Sequence, residues 1–254
     1  MAQWALVTGA TAGIGESFSR LLASQGFNVA LVARDEPRLH ERAAGLREKY
    51  GVQTFVLPAD LSTNAGCRAV EDYISTYPIE VLINNAGFGI NKAFSASQLD
   101  AEQQMFDVLV RTPMRLMHTI IPGMKERKSG IIINVSSVAS FIAGGTYSAS
   151  KSYLTVLSES LNTELASSGV KVSALCPGFT RTEFHQRGRM KMGGLPNFMW
   201  LNADKLVEQS WKDALANKPV SIPGWQYKLL VGVISTVPRK FVRRIGVNVR
   251  KKQR

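Results

Sequence analysis

The run WALVTGATAGIGESFSRLLASQG, residues 4–26, decides the fold. A short Val- and Leu-rich stretch breaks at Gly9, turns through Gly13 and Gly15, and continues as the amphipathic helical pattern ESFSRLLASQG. Glycines at such a turn remove Cβ atoms, so the backbone can bend tightly and approach a pyrophosphate. The helix that follows offers free N–H groups and the positive end of its dipole. A bare glycine triplet is weak evidence; one between a first strand and a first helix, with strand–helix alternation after it, is strong.

That alternation is present. WALVTG (4–9), NVALVA (28–33), QTFVLP (53–58), EVLIN (80–84), GIIINVS (130–136), VKVSALC (170–176) and PVSIP (219–223) read as seven strands. Their hydrophobicity is nearly continuous, as expected of strands buried on both faces. Helical patterns fall near 13–25, 36–50, 63–76, 100–128, 147–168 and 203–217. The expectation is an α/β, Rossmann-type, doubly wound seven-stranded parallel sheet with helices on both faces. Residues 1–224 form its catalytic domain and 225–254 a basic, apolar extension. Two regions are less regular, 181–202 and the tail beyond Gly224.

Length and composition agree with this reading. A chain of 254 residues, 45% hydrophobic and 20% charged, suits one large globular α/β domain. Cys67 and Cys176 fit no metal spacing and no disulfide framework, which points to a reducing, cytoplasmic compartment. The opening MAQWALVTGA lacks the basic and apolar regions of a secretion signal, and no apolar run is long enough to span a bilayer. The net charge of +12 is concentrated at one end, since ten Lys and Arg and no acidic residue follow Asp213. Such a tail calls for an anionic partner. Trp225, Tyr227 and Phe241 suit a lipid interface, so one reading of the tail is peripheral contact with an anionic membrane. The alternative is a helix that covers the substrate cleft or an oligomer interface. Nucleic acid has no supporting motif beyond charge.

Four motifs occur in order: TGATAGIG, Asn84-Asn85-Ala86-Gly87, Tyr147-Ser-Ala-Ser-Lys151 and Pro177-Gly178. They resemble the TGxxxGxG, NNAG, YxxxK and PG motifs of the short-chain dehydrogenase/reductase family over residues 3 to about 225. The resemblance implies hydride exchange between a nicotinamide cofactor and a ketone/secondary-alcohol pair. It places the cofactor against Gly9, Thr11, Gly13, Ile14, Gly15, Asp60, Leu61, Asn85, Ala86, Gly87, Tyr147, Lys151, Pro177, Gly178, Thr180 and Thr182. In ALVARDEPRL the acidic residue of NAD-preferring members falls on Ala33, and the basic residue of many NADP-preferring members on Arg34. NADP is therefore expected over NAD, with Asp35 facing solvent.

Tyr147 and Lys151, at i and i+4, share a helical face. The ammonium and an oxidised nicotinamide are expected to favour phenolate, which lets the tyrosine exchange a proton with a substrate oxygen. In INVSSVAS the resemblance assigns the substrate-binding hydroxyl to Ser137, with Ser136 as fallback. Only ten residues separate Ser137 from Tyr147, fewer than is usual in the family, so the active-site loop is short. Where many relatives carry an asparagine that distorts a helix and holds a water leading to the lysine, FDVLVRTP has Leu109.

Met190, Met192, Leu195, Phe198, Met199 and Trp200 supply flexible apolar surface in the substrate-loop region, which suits either a pocket for a bulky or aliphatic ketone or a lid packing on the core. A long-chain 3-oxoacyl group is one such substrate. His185 reads as a loop residue rather than a catalyst. The family analogy implies a homodimer or homotetramer paired through the long helices flanking the fifth strand. Leu109 supports the rival reading of an NADPH-binding sensor or scaffold with little turnover; retention of Tyr147, Lys151 and the serines opposes it.

Overall fold

The seven apolar runs pair as one parallel sheet in the computed structural model, which describes residues 3–184, 196–238, 240 and 242. The strands are β1 (Trp4–Thr8), β2 (Asn28–Ala33), β3 (Thr54–Pro58), β4 (Ile79–Asn84), β5 (Gly130–Val135), β6 (Val170–Leu175) and β7 (Val220–Ser221). Their spatial order is β3-β2-β1-β4-β5-β6-β7. The order reverses between β1 and β4, where open α/β sheets bind ligands beyond the carboxyl ends of the strands.

Side chains alternate across each strand, so each face builds its own core. On one face Ala5 and Val7 of β1 pack with Phe18 and Leu22 of α1 (Gly13–Ser24), Leu39 of α2 (Glu36–Tyr50) and Trp211 of α7 (Ala203–Leu215). On the other, Leu6 packs with Val70 of α3 (Asn64–Thr76), Leu116 of α5 (Thr112–Arg127) and Leu154 of α6 (Thr146–Glu164). Each fully buried Phe or Leu contributes about 1.5–3 kcal/mol, so the two layers hold the strand ends in place.

Three expectations need correction. β3 is an edge strand, and Phe55 on it is half-exposed against Tyr73, so burial on both faces fails there. The single helix expected over 100–128 is α4 (Leu99–Phe106) and α5, joined by a π-helical turn at Asp107–Arg111. The tail beyond Gly224 opens as a regular helix, α8 (Trp225–Thr236). Tyr227, Val231 and Ile234 on α8 are buried, while Trp225, Leu229, Leu230 and Val233 are exposed. Among the described residues no helix is long and apolar enough to cross a membrane. Met190, Met192, Leu195, His185, Phe241 and nearly all of the basic tail lie outside the described residues.

Candidate active site

The glycine turn is built from backbone. Gly9 and Gly13 have φ of +66° and +56°, in the left-handed region that L side chains avoid. A methyl group on Gly15 would lie 2.3 Å from the Gly9 carbonyl oxygen and 2.4 Å from Asn85 Nδ2. Asn85 Nδ2 donates to the carbonyls of Thr8 (2.8 Å) and Gly9 (3.1 Å). In return Thr8 Oγ1 accepts from the N–H groups of Asn85 and Ala86 at 2.9 and 3.0 Å. The Asn-Asn-Ala-Gly segment and the glycine turn are thus one clasp, centred on the buried Thr8. The clasp role of Thr8 was missed, although Thr8 stands in the first motif.

At the start of α1 the N-cap position is Ala12, which has no side chain to accept from the first N–H groups. Uncapped donors beside left-handed glycines are what a pyrophosphate needs, so the residues fit a dinucleotide. Thr11 is buried, with its carbonyl facing Arg42, and Ile14 packs on the sheet.

Beyond β2, Arg34 is exposed, and Asp35 caps α2 by accepting from the Arg38 N–H at 3.2 Å. The Asp35 carboxylate therefore has a structural partner as well as solvent. Asp60 follows β3. Burial pushes its carboxyl up, but the N–H and hydroxyl of Ser62 and the charge of Arg34 outweigh that, so it lies below its ordinary value. Buried Leu61 beside it accepts from Thr112 Oγ1 at 2.8 Å through its carbonyl.

The groups expected to transfer the proton come from the end of β5 and from α6. Ser137 caps the short 3-10 helix Val138–Phe141, its hydroxyl accepting from the Ala139 N–H at 3.1 Å, and it lies close enough to the Tyr147 phenol to influence its titration. The Ser136 hydroxyl is engaged elsewhere: it donates to the Lys151 carbonyl at 2.8 Å and pairs with Thr155 at 2.7 Å, buried beneath α6. Ser137, by contrast, is half-buried. Lys151 Nζ donates to the Val135 carbonyl at 2.6 Å and lies 5.8 Å from the centre of the Tyr147 ring.

Burial governs both titrations. The Tyr147 phenol is pushed up to about 12 by loss of solvent, against a smaller opposing effect from Ser137. The same cause brings Lys151 down to about 8. In the protein alone the phenol therefore lies above its ordinary value, with Ser137 and not Lys151 as the opposing influence.

Leu109 sits in the π-turn, 1% exposed, packed with Met105 and Val110 and against Phe88, Ile90 and Tyr147. A methyl group on Gly87 would meet Leu109 Cδ2 at 2.8 Å and Lys151 Nζ at 3.8 Å, so the leucine fills space beside the lysine. The helix distortion persists without an asparagine to cause it; the space it opens is apolar.

After β6, Pro177 accepts from the Val138 N–H at 3.0 Å, and Thr180 donates to the Gly178 carbonyl at 3.0 Å. Gly178 touches the Tyr227 ring so closely that a Cβ there would fall 2.0 Å from a ring carbon. Tyr227 Oη accepts from the Phe179 N–H at 2.9 Å and donates to the Met199 carbonyl at 2.6 Å. The first turn of α8 therefore fixes the loop bearing Thr180 and the turn bearing Phe198, Met199 and Trp200. Phe198 is exposed, while Trp200 is half-buried beside Phe179. Thr182 lies against Gly13, which completes the set of groups along the groove.

Comparison with known proteins agrees with this arrangement. Residues 3–192 match the family model described as short chain dehydrogenase. A very-long-chain 3-oxoacyl-CoA reductase of Laccaria bicolor is 37% identical over 181 residues, 68% of this chain and 53% of that protein. An inactive hydroxysteroid dehydrogenase-like protein 1 of Homo sapiens is 32% identical over 187 residues, 71% of this chain and 56% of that protein. The chain thus spans little more than half the length of these curated relatives. A short-chain dehydrogenase from Sphingobium yanoikuyae in complex with NADPH superposes with a TM-score of 0.84 at 31% identity, over 93% of this chain and 96% of that one.

Proposed function

The chain belongs to the short-chain dehydrogenase family, and from that premise we propose that it is an NADP-dependent reductase of bulky or lipid-like ketones, such as long-chain 3-oxoacyl groups. The observation that carries this is the convergence of Ser137, Tyr147 and Lys151 beyond β5, beside a turn that fits a dinucleotide. A bound nicotinamide dinucleotide would supply the hydride. Ser137 holds the carbonyl oxygen by a hydrogen bond, and Tyr147 gives that oxygen its proton. Lys151, anchored on the Val135 carbonyl, places its charge beside the phenol. Arg34, exposed beyond β2, is the group for a 2′-phosphate, since Asp35 is engaged in capping α2.

The substrate class rests on apolar surface beside Tyr147, from Phe88 and Ile90 on the Leu109 cluster and from the Phe184 ring 6.0 Å away, and on the name of the Laccaria relative. Trp225, Leu229 and Val233, spaced one turn apart on the outer side of α8, are 71%, 62% and 51% exposed. With the basic tail after them they form a contact for an anionic membrane from which a lipid substrate would enter. Phe106, Met114, Tyr153 and Val156, exposed on α4 to α6, supply apolar surface for a homodimer or homotetramer.

The test is NADPH oxidation followed by absorbance, against a panel of long-chain and cyclic ketones. Turnover is expected with NADPH in preference to NADH, and Tyr147→Phe should lower kcat by about 10²–10⁴-fold while leaving NADPH affinity within about twofold. Tight NADPH binding without turnover on any ketone would favour the sensor or scaffold reading, which Leu109 and the inactive Homo sapiens relative support.

A further inference from the structure

Two consecutive residues at the end of β5 hold opposite ends of the same lysine. The Val135 carbonyl accepts from Lys151 Nζ at 2.6 Å, and the Ser136 hydroxyl donates to the Lys151 backbone carbonyl at 2.8 Å. Thr155, one turn further along α6, reaches that carbonyl with its own hydroxyl at 3.0 Å and lies 2.7 Å from Ser136 Oγ. A threonine folded back onto the carbonyl four residues earlier is ordinary in a helix. The Ser136 donor is different, because it comes from another element, 15 residues away. It pins one turn of α6 to the strand whose carbonyl carries the ammonium.

Ser136, Lys151, Thr155 and Cys176 are all buried, and Cys176 Sγ lies 3.7 Å from Thr155 Oγ1. Burial pushes the Cys176 thiol up, so the sulfur keeps its proton. With one proton to each group, the contacts run in one direction, from Cys176 to Thr155 to Ser136 to the Lys151 carbonyl. On the other flank the surface is apolar: a Gly87 methyl group would lie 2.8 Å from Leu109 Cδ2 and 3.8 Å from Lys151 Nζ. A lysine stem of four carbons is flexible, so the place of its ammonium depends on what holds its two ends.

Resting on the reading of Tyr147 and Lys151 as the proton-transfer pair, we propose that Ser136 and Thr155 are positioning residues for that transfer. Acting through Lys151, their hydroxyls seat its turn of α6 on the end of β5. That seating keeps the ammonium on the Val135 carbonyl and 5.8 Å from the centre of the Tyr147 ring. The titratable groups that face the ammonium are Tyr147 on its own helix and Cys176 after β6. Without the hydroxyls the turn slackens, the ammonium gains solvent, and its pKa returns toward the ordinary 10.5.

The test compares Ser136→Ala, Thr155→Val and Thr155→Ser in the full chain. With NADPH and a ketone that the wild type turns over, Ser136→Ala and Thr155→Val should each lower kcat by about 5–50-fold and leave KM within about twofold. The limb of the kcat profile set by Lys151 should move to higher pH by roughly half a unit or more. Thr155→Ser keeps the hydroxyl and should restore both. A second readout needs no turnover: thermal unfolding of each protein beside its own Lys151→Met derivative. With the folded lysine at about 8, wild-type stability rises relative to Lys151→Met as pH goes from about 8 to 10. In Ser136→Ala and Thr155→Val that rise should begin at higher pH and be smaller. An unmoved pH limb and an unmoved stability window, whatever happens to kcat, would reduce the two hydroxyls to packing and overturn the proposal. Failure of Thr155→Ser to restore either would do the same. Absence of turnover by the wild type, with the stability window still moved by both variants, would fell the proton-transfer reading and leave the hold on Lys151 in place.

Discussion

The two ends of the groove are made of different material. The end proposed for the dinucleotide's pyrophosphate is backbone: left-handed glycines, uncapped N–H groups, and the Thr8–Asn85 clasp, with almost no room for a side chain. The end proposed for the substrate is side chain: Ser137, Tyr147 and Lys151 held by burial and hydrogen bonds, with Leu109 and Phe184 beside Tyr147. Backbone geometry tolerates few residue types, so this end keeps the family pattern. Side-chain geometry can be rebuilt from other residues, and there the chain departs, with a leucine beside the lysine and a short loop before the tyrosine.

The largest expected effect comes from the outermost part of the substrate end. Replacing Trp225 and Leu229 together with Glu removes about 1.5–3 kcal/mol of burial per side chain from any bilayer contact. Co-sedimentation with vesicles containing anionic lipid should fall at least tenfold, and equal sedimentation of wild type and variant would remove the membrane from the comparison. At the other end the contrast is between two glycines. Gly15→Ala puts a methyl group against the Gly9 carbonyl and Asn85, and should destabilise by about 1–3 kcal/mol and weaken NADPH binding. Gly45→Ala, on α2 with open space around it, should stabilise by about 0.5–1 kcal/mol. Thermal unfolding of both variants checks the pair; the same sign for the two would mean that crowding does not distinguish the turn.

Lys151 sharpens the comparison through pH. Its folded pKa, about 8, lies below its ordinary 10.5, so between these values the unfolded chain binds more protons. Wild-type stability should therefore rise relative to Lys151→Met as pH goes from about 8 to 10, by on the order of 1–3 kcal/mol. Above pH 10 the raised Tyr147 pKa acts oppositely, since the folded phenol keeps a proton that the unfolded one loses. A pH-independent gap in unfolding midpoint between the two proteins would contradict the buried cation. The smallest effect is at Leu109. Leu109→Asn should raise kcat a few-fold if proton supply to Lys151 limits turnover, at a cost of about 1–3 kcal/mol in stability for the buried amide. An unchanged kcat with unchanged NADPH affinity would show no relay deficit.

The strands and α1, α2, α3, α6 and α7 were legible because their hydrophobic periods are strong and their ends carry ordinary signals, such as Asp35 before Pro37 at α2. The π-turn at 107–111 was not legible as a break in the helix, because Asp107 to Arg111 keep the apolar period while the backbone bonding changes. α8 was legible only as one of two readings of the tail: it carries one basic residue among mostly apolar ones, and which side is buried depends on the loop beneath it. In the site, motif spacing brought Tyr147 and Lys151 together but left Ser136 and Ser137 open; only the orientation at the end of β5 separates them. Thr155 was missed because no local pattern joins it to Ser136, 19 residues earlier at the end of β5.

The contact between Gly178 and Tyr227 has a consequence for anyone who would shorten or exchange the end of this chain. The aromatic ring occupies the place a side chain at 178 would need, and its hydroxyl ties together two loops on the substrate side. Loop and helix are cut to one another like a key and its lock plate. A tail borrowed from a relative would carry its own phenol, or none, to a surface already shaped for this one.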